Sequence, residues 1–217
     1  MDMTDSPEDF PQHLAIFPLN GALLLPGGRL PLHIFEPRYV AMVEDALAAG
    51  RTFGMIQEDR AGQDEDSVLY RVGCLGRISS FSETEDGRYL VTLTGLIRFD
   101  VVRELVAHRG YRRVIADYSR FAADLAVRPD ANGLRDREAL LGALRAYFQA
   151  RGFEANWDAI EQMPDELLVV TLAMVCPFEP AEKQALLEAD TPAARAEALL
   201  ALLTMGAHES GDAQLRS

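Results

Sequence analysis

Prolines interrupt a series of short apolar runs near the beginning of this chain, between residues 14 and 35. Pro18, Pro26 and Pro31 each lie inside or beside a run that otherwise has the composition of a β-strand. Because proline cannot donate a hydrogen bond to a neighbouring strand, it occurs in edge strands and at bulges. The segment therefore predicts a bent sheet edge within a small β structure that is closed or half-closed.

A helix is predicted directly after these strands. Pro37 suits the first helical position, where its missing N–H group has no partner to lose. Tyr39, Val43, Ala46 and Leu47 then recur at the spacing of one helix face, and Gly50 ends the pattern.

The chain from residue 52 to residue 121 has mainly strand signals. Asp86-Gly87 is a strong hairpin signal. The predicted strands cover residues 52–58, 72–82, 88–96, 97–106 and 111–118. Together with the first segment they give six or seven short strands, a number that suits a compact barrel without exposed edges.

The last third of the chain has the pattern of amphipathic helices, each of which needs a partner to bury its apolar face. Thr191 is predicted as the N-cap of the last helix and Pro192 as its first residue. The fold class we expect is α+β, a small closed or half-closed β-barrel with one early helix, followed by a C-terminal helical bundle. The predicted boundaries are a mobile acidic tail at 1–12, the barrel at 13–121, a linker at 122–133, the helical subdomain at 134–206 and a flexible tail at 207–217.

Three blocks of sequence carry a resemblance to a known family. They are Phe17-Pro18-Leu19 through Phe35-Glu36-Pro37-Arg38-Tyr39, then Val72-Gly73-Cys74-Leu75-Gly76 through Gly95-Leu96-Ile97-Arg98-Phe99, and finally Glu182-Lys183-Gln184-Ala185-Leu186. Their order and spacing resemble the Lon N-terminal domain, the substrate-binding, PUA-like module of Lon proteases, which also occurs as a stand-alone protein. The resemblance spans roughly residues 13 to 205 and implies recognition of unfolded or exposed apolar polypeptide.

Composition narrows the choice of partner and compartment. The formal net charge is -13, which disfavours nucleic acid because its binding requires lysine and arginine contacts to phosphates. No apolar run reaches the length of a membrane helix, and the acidic first residues do not resemble a signal peptide. We therefore expect a cytoplasmic protein that binds no membrane, with Cys74 and Cys176 as buried, reduced thiols.

The sequence has none of the motifs that would supply catalysis. Lys183 is its single lysine and lies in a helical run without the glycines of a phosphate-binding loop. A Ser–Lys peptidase dyad would have to recruit this lysine from the surface of a small helix. The four histidines are far apart, and neither cysteine has a ligand at zinc-site spacing. We expect no enzyme activity, no cofactor and no metal.

The turn after the second apolar run is the first candidate binding site. Leu24 and Leu25 precede Pro26 and Gly27, and apolar residues beside such a turn cannot all point inward. An exposed apolar patch often marks a protein-binding surface. The sequence therefore predicts that these four residues contact a protein partner.

A second group of candidates lies where the bent strand enters the helix. Glu36, Arg38 and Tyr39 are close in sequence there, and they either contact a ligand or form an ion pair and an aromatic lid that brace the corner. Arg98 also matches a family position, although an arginine that braces the barrel fits as well.

These observations predict a non-catalytic protein-recognition module that binds unfolded or apolar polypeptide segments, as an adaptor or quality-control factor working with a protease or chaperone. The sequence leaves two alternatives. One is an RNA-binding PUA-like module, and the other is a small-molecule hydrolase with a pocket between barrel and helices.

Overall fold

The computed structural model describes residues 6–59, 68–126 and 134–214. These residues belong to two compact units, Met1–Val127 and Arg128–Ser217. The first unit contains the described strands and the early helix, and the second is helical.

The strands are β1 His13–Pro18, β2 Arg29–Ile34, β3 Thr52–Ile56, β4 Glu58–Asp59, β5 Val68–Leu69, β6 Val72–Glu83, β7 Tyr89–His108 and β8 Tyr111–Asp117. The α-helices are α1 Pro37–Ala48, α2 Arg137–Arg151, α3 Trp157–Glu161, α4 Asp165–Val175, α5 Pro180–Glu188 and α6 Pro192–Gln214. Short 3-10 helices lie at Pro7–Asp9 and Ser119–Leu125.

Five strands of the first unit form a closed ring. β7 pairs with β6 along one edge and with β8 along the other, so that the order β7, β6, β3, β1, β8 returns to β7. β1 and β3 run parallel, and the other neighbours in the ring are antiparallel. Closure removes the exposed edges of these strands within the ring. The predicted fold class, a small closed barrel with one early helix and then a helical subdomain, is confirmed.

The strand β7 corrects one detail of the prediction, which placed a break after residue 96. Leu75 pairs with Ile97 while Gly76 pairs with Gly95, so Leu96 is an extra residue in a β-bulge. A bulge bends a strand while its hydrogen-bonded ladder continues. The two predicted strands are therefore one long, bent strand.

Glycines make room for the centre of the barrel. A Cβ atom added at Gly73 would lie 2.4 Å from the Phe99 ring, and one added at Gly54 would lie 2.9 Å from it. Phe99 is fully buried. Two strand positions without side chains therefore let this ring fill the space between β3, β6 and β7.

The strand β2 lies outside the ring and pairs with the first half of β7. Its other side is an edge of the sheet, and Pro31 lies in this strand. The expectation that proline marks a sheet edge is confirmed at Pro31. The apolar run at residues 22–25 is not a strand; it forms a loop that joins the sheet through a single bridge between Pro26 and Gly95.

Two helices of the second unit, α2 and α6, begin at residues whose side chains cap them. The Asp136 carboxylate accepts a hydrogen bond from the backbone N–H of Ala139 at 2.8 Å at the start of α2. The Thr191 hydroxyl accepts one from Ala194 at 3.1 Å at the start of α6. The predicted helix start at Thr191 and Pro192 is confirmed.

The core of the second unit is formed where α2 packs against α6. Buried side chains come from one face of each helix, namely Leu140, Leu144, Tyr147, Ala196, Leu199 and Leu203. Gly206 lies against the Tyr147 ring, since a Cβ atom there would lie 2.6 Å from it.

The predicted domain limits stay predictions. Three observations concern the predicted tails and linker. Phe10 lies within the predicted tail and is buried, with its ring 5.6 Å from that of Tyr118. The helix Ser119–Leu125 extends into the predicted linker, and α6 extends beyond residue 206. Residues 127–133 of the predicted linker lie outside the described residues.

Candidate functional site

The leucines of the proline-glycine turn are in the barrel core. Leu24 is 1% exposed and Leu25 is 0% exposed, so the expectation that apolar residues of this turn face solvent is wrong. The reason is the glycines opposite them. A Cβ atom at Gly76 would lie 2.9 Å from Leu24, and one at Gly95 would lie 2.1 Å from the Leu25 carbonyl oxygen. The loop therefore packs directly onto the sheet.

The rest of the turn is fixed by backbone hydrogen bonds. The N–H of Gly27 donates to the Gly95 carbonyl at 3.0 Å, and the N–H of Gly95 donates to the Gly28 carbonyl at 2.9 Å. Gly27 is exposed and has a positive φ of 77°, whereas Pro26 is half-buried. The turn thus fixes the loop to β7.

Glu36, Arg38 and Tyr39 lie together at the start of α1. Arg38 pairs with Glu36 at 2.9 Å, and its guanidinium carbon lies 4.5 Å from the centre of the Tyr39 ring. Tyr39 is buried against Phe17, with ring centroids 4.2 Å apart, and this burial raises the pKa of its hydroxyl. The geometry matches a corner braced by an ion pair and an aromatic lid, with Glu36 and Arg38 half-exposed.

Arg98 is buried in the barrel wall. Its Nε and Nη2 atoms donate to the two carboxylate oxygens of Asp124 at 2.9 and 2.8 Å, and its backbone N–H donates to the same group at 3.0 Å. Its guanidinium also lies over the Phe121 ring at 4.5 Å. These contacts hold the helix Ser119–Leu125 against β7, so the side chain of Arg98 is occupied inside the unit.

A clamp that sequence reasoning missed holds α1 to the hairpin between β7 and β8. Arg109 at the hairpin donates to Glu44 at 2.7 Å and to Asp45 at 2.6 Å, and the Tyr111 hydroxyl donates to Asp45 at 2.8 Å. Arg109 has a positive φ of 47°, a conformation that is uncommon outside glycine. No motif in the sequence pairs two segments that are more than sixty residues apart.

The exposed apolar residues of the first unit include a group at the free end of the β6–β7 hairpin. Phe35 is 61% exposed, Leu90 is 45% exposed and Phe81 is 36% exposed. The Phe81 ring packs edge-on against Tyr89, with centroids 4.9 Å apart. We call Phe35, Phe81, Tyr89 and Leu90 the apolar tip.

The strand register places the apolar tip on both faces of the sheet. Leu90 pairs with His33 of β2 and with Ser82 of β6, and the His33 ring contacts Phe35 with centroids 6.0 Å apart. Phe81 and Tyr89 lie on the opposite face. One signal was present in the sequence, because Leu90 alternates with Thr92 on the otherwise polar face of β7.

Charges at the apolar tip are mainly negative. Residues 83–88 carry three carboxylates and one guanidinium, and Arg88 pairs with Asp86 at 2.8 Å. Glu83 and Glu85 are exposed. An apolar patch with this rim favours contact with apolar segments that also carry lysine or arginine.

The expected surface position of Lys183 is wrong. Lys183 is 5% exposed, its ammonium group donates to the Met174 carbonyl at 3.3 Å, and burial lowers its pKa. Cys176 is buried nearby, and burial raises the pKa of its thiol to about 11. A thiol with a raised pKa is a poor nucleophile at neutral pH, since the thiolate is the reactive form. Both Cys74 and Cys176 are buried and free, as predicted.

Among the described residues, no group of three or more histidine, cysteine, aspartate or glutamate side chains is arranged to hold a metal ion. In the same part of the chain, no helix has the length and apolar character needed to cross a membrane.

Comparison with known sequences identifies the family of the chain. The sequence model of the ATP-dependent protease La (LON) substrate-binding domain matches residues 13–205. The chain belongs to this family. The match includes both the barrel and most of the helical unit, which is the extent that the sequence resemblance predicted.

Curated relatives are Lon proteases that are much longer than this chain. Lon protease 2 of Myxococcus xanthus is 33% identical over 112 residues, which are 51% of this chain and 13% of that protein. Lon protease of Roseiflexus castenholzii is 28% identical over 168 residues, which are 77% of this chain and 19% of that protein. The chain therefore corresponds to a small part of each relative.

Solved structures confirm the Lon N-terminal fold. A Lon N-terminal domain protein from Xanthomonas campestris matches with a TM-score of 0.58 and 28% identity, covering 87% of this chain and 97% of that one. The N-terminal domain of the Mycobacterium avium complex Lon protease matches with a TM-score of 0.55 and 15% identity, covering 88% and 98%. The second likeness concerns the fold alone.

Proposed function

We propose that this Lon-family chain is a non-catalytic recognition module that binds polypeptide segments with exposed apolar side chains. In this proposal it acts in the cytoplasm as an adaptor or quality-control factor that delivers such segments to a protease or chaperone. The observation that carries the proposal is the apolar tip, a set of large apolar side chains exposed at one end of the sheet in a member of a substrate-binding family.

Exposure of the apolar tip has an energetic consequence. Burying a phenylalanine or leucine side chain on association contributes about 1.5–3 kcal/mol. Single exposed apolar residues are ordinary on protein surfaces, but a group of them marks an interaction site. Leu90 on one face of the sheet and Phe81 on the other are exposed at the end of one hairpin, with Phe35 exposed just after the neighbouring strand.

The arrangement of arginines supports a protein client over RNA. Nine arginines among the described residues lie in ion pairs with carboxylates of this chain. An arginine that is paired with a carboxylate is less available to neutralise a phosphate, and phosphate contacts dominate affinity for nucleic acid.

The proposal is tested by binding of a permanently unfolded protein. The probe is reduced, carboxymethylated α-lactalbumin, and binding is measured by fluorescence anisotropy without ATP. The double variant Phe35→Ser with Leu90→Ser is expected to weaken binding by at least about tenfold, since it removes two apolar contacts that each contribute more than about 1.4 kcal/mol.

The matched control is Val106→Ser, which removes an apolar side chain that is 85% exposed on the same strand but lies at the other hairpin. It should leave binding unchanged. Equal affinity of the double variant and the parent protein would reject the apolar tip as the site. Failure of the parent protein to bind the probe would reject the proposed function.

A further inference from the structure

The strands near the apolar tip extend beyond the closed ring as a three-stranded arm. The arm consists of β2, the first part of β7 and the last part of β6. β3 pairs with β6 only as far as Arg77. The arm therefore has two edges, one along β2 and one along residues 79–83 of β6.

The β2 edge is a poor place for another strand to bind. In an antiparallel pair, residues alternate between bonding their partner and pointing their backbone groups away from it. Thr92 of β7 faces β6, because its carbonyl accepts a bond from the Ser79 hydroxyl at 3.0 Å. Its partner on β2, Pro31, then faces outward, and proline at an edge blocks strand addition because it has no N–H group.

The β6 edge is covered at Ile78, its first outward-facing residue, and is open beyond that residue. Ile78 faces outward and is covered, since its N–H donates to the Arg51 carbonyl at 2.8 Å and its carbonyl accepts from the Arg51 side chain at 3.3 Å. At the hairpin, the N–H of Thr84 donates to the Arg88 carbonyl at 2.9 Å, so Thr84 faces β7. The alternation then directs the backbone groups of Phe81 and Glu83 outward.

The outward backbone groups at this edge have no partner in the part of the chain that the structure describes. Among those residues, no hydrogen bond reaches the N–H or carbonyl of Phe81 or Glu83 from the side away from β7. Nothing corresponding to Pro31 protects this edge, since residues 79–83 contain no proline. The exposed Phe81 ring lies in the middle of it.

We propose that an extended polypeptide segment binds by adding a strand to residues 79–83 of β6. This inference rests on the proposed function and specifies how a client binds. Backbone hydrogen bonds to Phe81 and Glu83 supply affinity that does not depend on client sequence, and side chains that alternate along the added strand contact Phe81.

The charged residues along this edge favour one kind of client segment. The edge ends at Glu83 and Glu85, while its other end is occupied by Arg51. An added strand is therefore favoured when it carries an apolar residue beside Phe81 and a lysine or arginine at the Glu83 end. The client class is an extended, apolar and basic segment.

Amide hydrogen exchange tests the inference directly. The probe is an eight-residue peptide of alternating valine and threonine with two arginines at one end. Binding of this peptide should slow exchange of the Phe81 and Glu83 amides by at least tenfold, because those N–H groups gain acceptors. The His33 amide on the β2 edge should be unchanged.

Two substitutions at Glu83 distinguish the contribution of its backbone N–H group from that of its carboxylate. Glu83→Pro removes the outward N–H group, and Glu83→Ala removes only the carboxylate. Affinity for the peptide should fall about fivefold further in the proline variant than in the alanine variant, as expected for loss of one hydrogen bond. Equal affinity of the two variants would overturn strand addition.

The remaining outcomes distinguish this inference from the proposed function. If the unfolded protein probe binds while the peptide does not, or binds without protection of Phe81 and Glu83, strand addition is wrong and the recognition function stands. If neither probe binds, both proposals fail. If the two amides are already protected in a dimer detected by ultracentrifugation, a second copy of the chain occupies the edge and the inference is overturned.

Discussion

Two arginines contact the same aromatic ring in different surroundings. Arg98 and Arg120 place their guanidinium carbons 4.5 and 4.4 Å from the centre of the Phe121 ring. Arg98 is buried and bonds both oxygens of Asp124, while the Arg120 side chain is 54% exposed and pairs with Asp100 at 3.4 Å. Because Arg98 is buried and bonds both carboxylate oxygens of Asp124, we expect its contacts to stabilise the fold.

We expect the Arg98→Met variant to lose about 3 kcal/mol of unfolding free energy, because Asp124 keeps its buried charge without its main counter-ion. The matched variant Arg120→Met should lose less than about 1 kcal/mol, since exposed ion pairs contribute little. Urea unfolding measures both. Similar losses would contradict the structural role, and loss of probe binding by still-folded Arg98→Met would support the binding role that the sequence suggested.

The helix α1 is held to the barrel in part by two side chains whose charge depends on pH, Asp45 and Tyr111. Partial burial alone would raise the pKa of the Asp45 carboxyl, but hydrogen bonds from Tyr111 and Arg109 outweigh burial and lower it. Burial, and then the bond to Asp45, raise the pKa of Tyr111 from 10.0 to about 12. The clamp is therefore strongest when Asp45 is charged and Tyr111 is neutral.

The signs of these shifts predict the pH range of the clamp. Asp45 contributes stability above its unfolded pKa of about 4, and that contribution is lost as the pH falls through its lower folded value. The contribution of Tyr111 is complete below about pH 10 and is lost as the pH rises toward its folded pKa of about 12. The Asp45→Asn variant should lose the acid dependence and keep a weaker alkaline dependence, because the burial of Tyr111 remains.

Unfolding free energy measured by urea titration across pH tests this prediction, with the ring-carbon resonances of labelled tyrosine as a direct probe of Tyr111. The Tyr111→Phe variant is the control, because it should remove the alkaline dependence while Arg109 still bonds Asp45. If the unfolding free energy of Asp45→Asn falls at acid pH as much as that of the parent protein, the role of the clamp is contradicted.

For the molecule as a whole, net charge opposes contact between exposed apolar groups. The chain carries a charge of -13 at neutral pH and leaves Phe35, Phe81 and Leu90 accessible. Like charge keeps copies apart, and that repulsion disappears near the isoelectric point. Solubility and self-association should therefore depend on pH through the same surface that we propose for clients.

Light scattering should show association near pH 4.7, the isoelectric point of the sequence, and no association at neutral pH. The double variant Phe35→Ser with Leu90→Ser should associate less at the acidic pH, because the apolar contact is removed while the charge is unchanged. Equal scattering by parent and variant at pH 4.7 would show that association uses another surface.

Sequence patterns predicted the fold more fully than the site, and particular residues show why. Pro31, Asp86-Gly87 and Thr191 act locally, so an edge, a hairpin and a helix start could be inferred from them. Leu24 and Leu25 could not be placed, because their burial depends on Gly76 and Gly95 across the sheet. Long-range pairs such as Arg109 with Asp45 leave no pattern in the sequence.

The burial of Lys183 has a practical consequence, because this residue is the single lysine of the chain. Acylating reagents such as succinimide esters react with a neutral amine that they can reach. The rate at which this one side chain is acylated therefore reports how often α5 separates from its surroundings. Acylation of Lys183 can therefore be used to measure local opening of the protein without an engineered label.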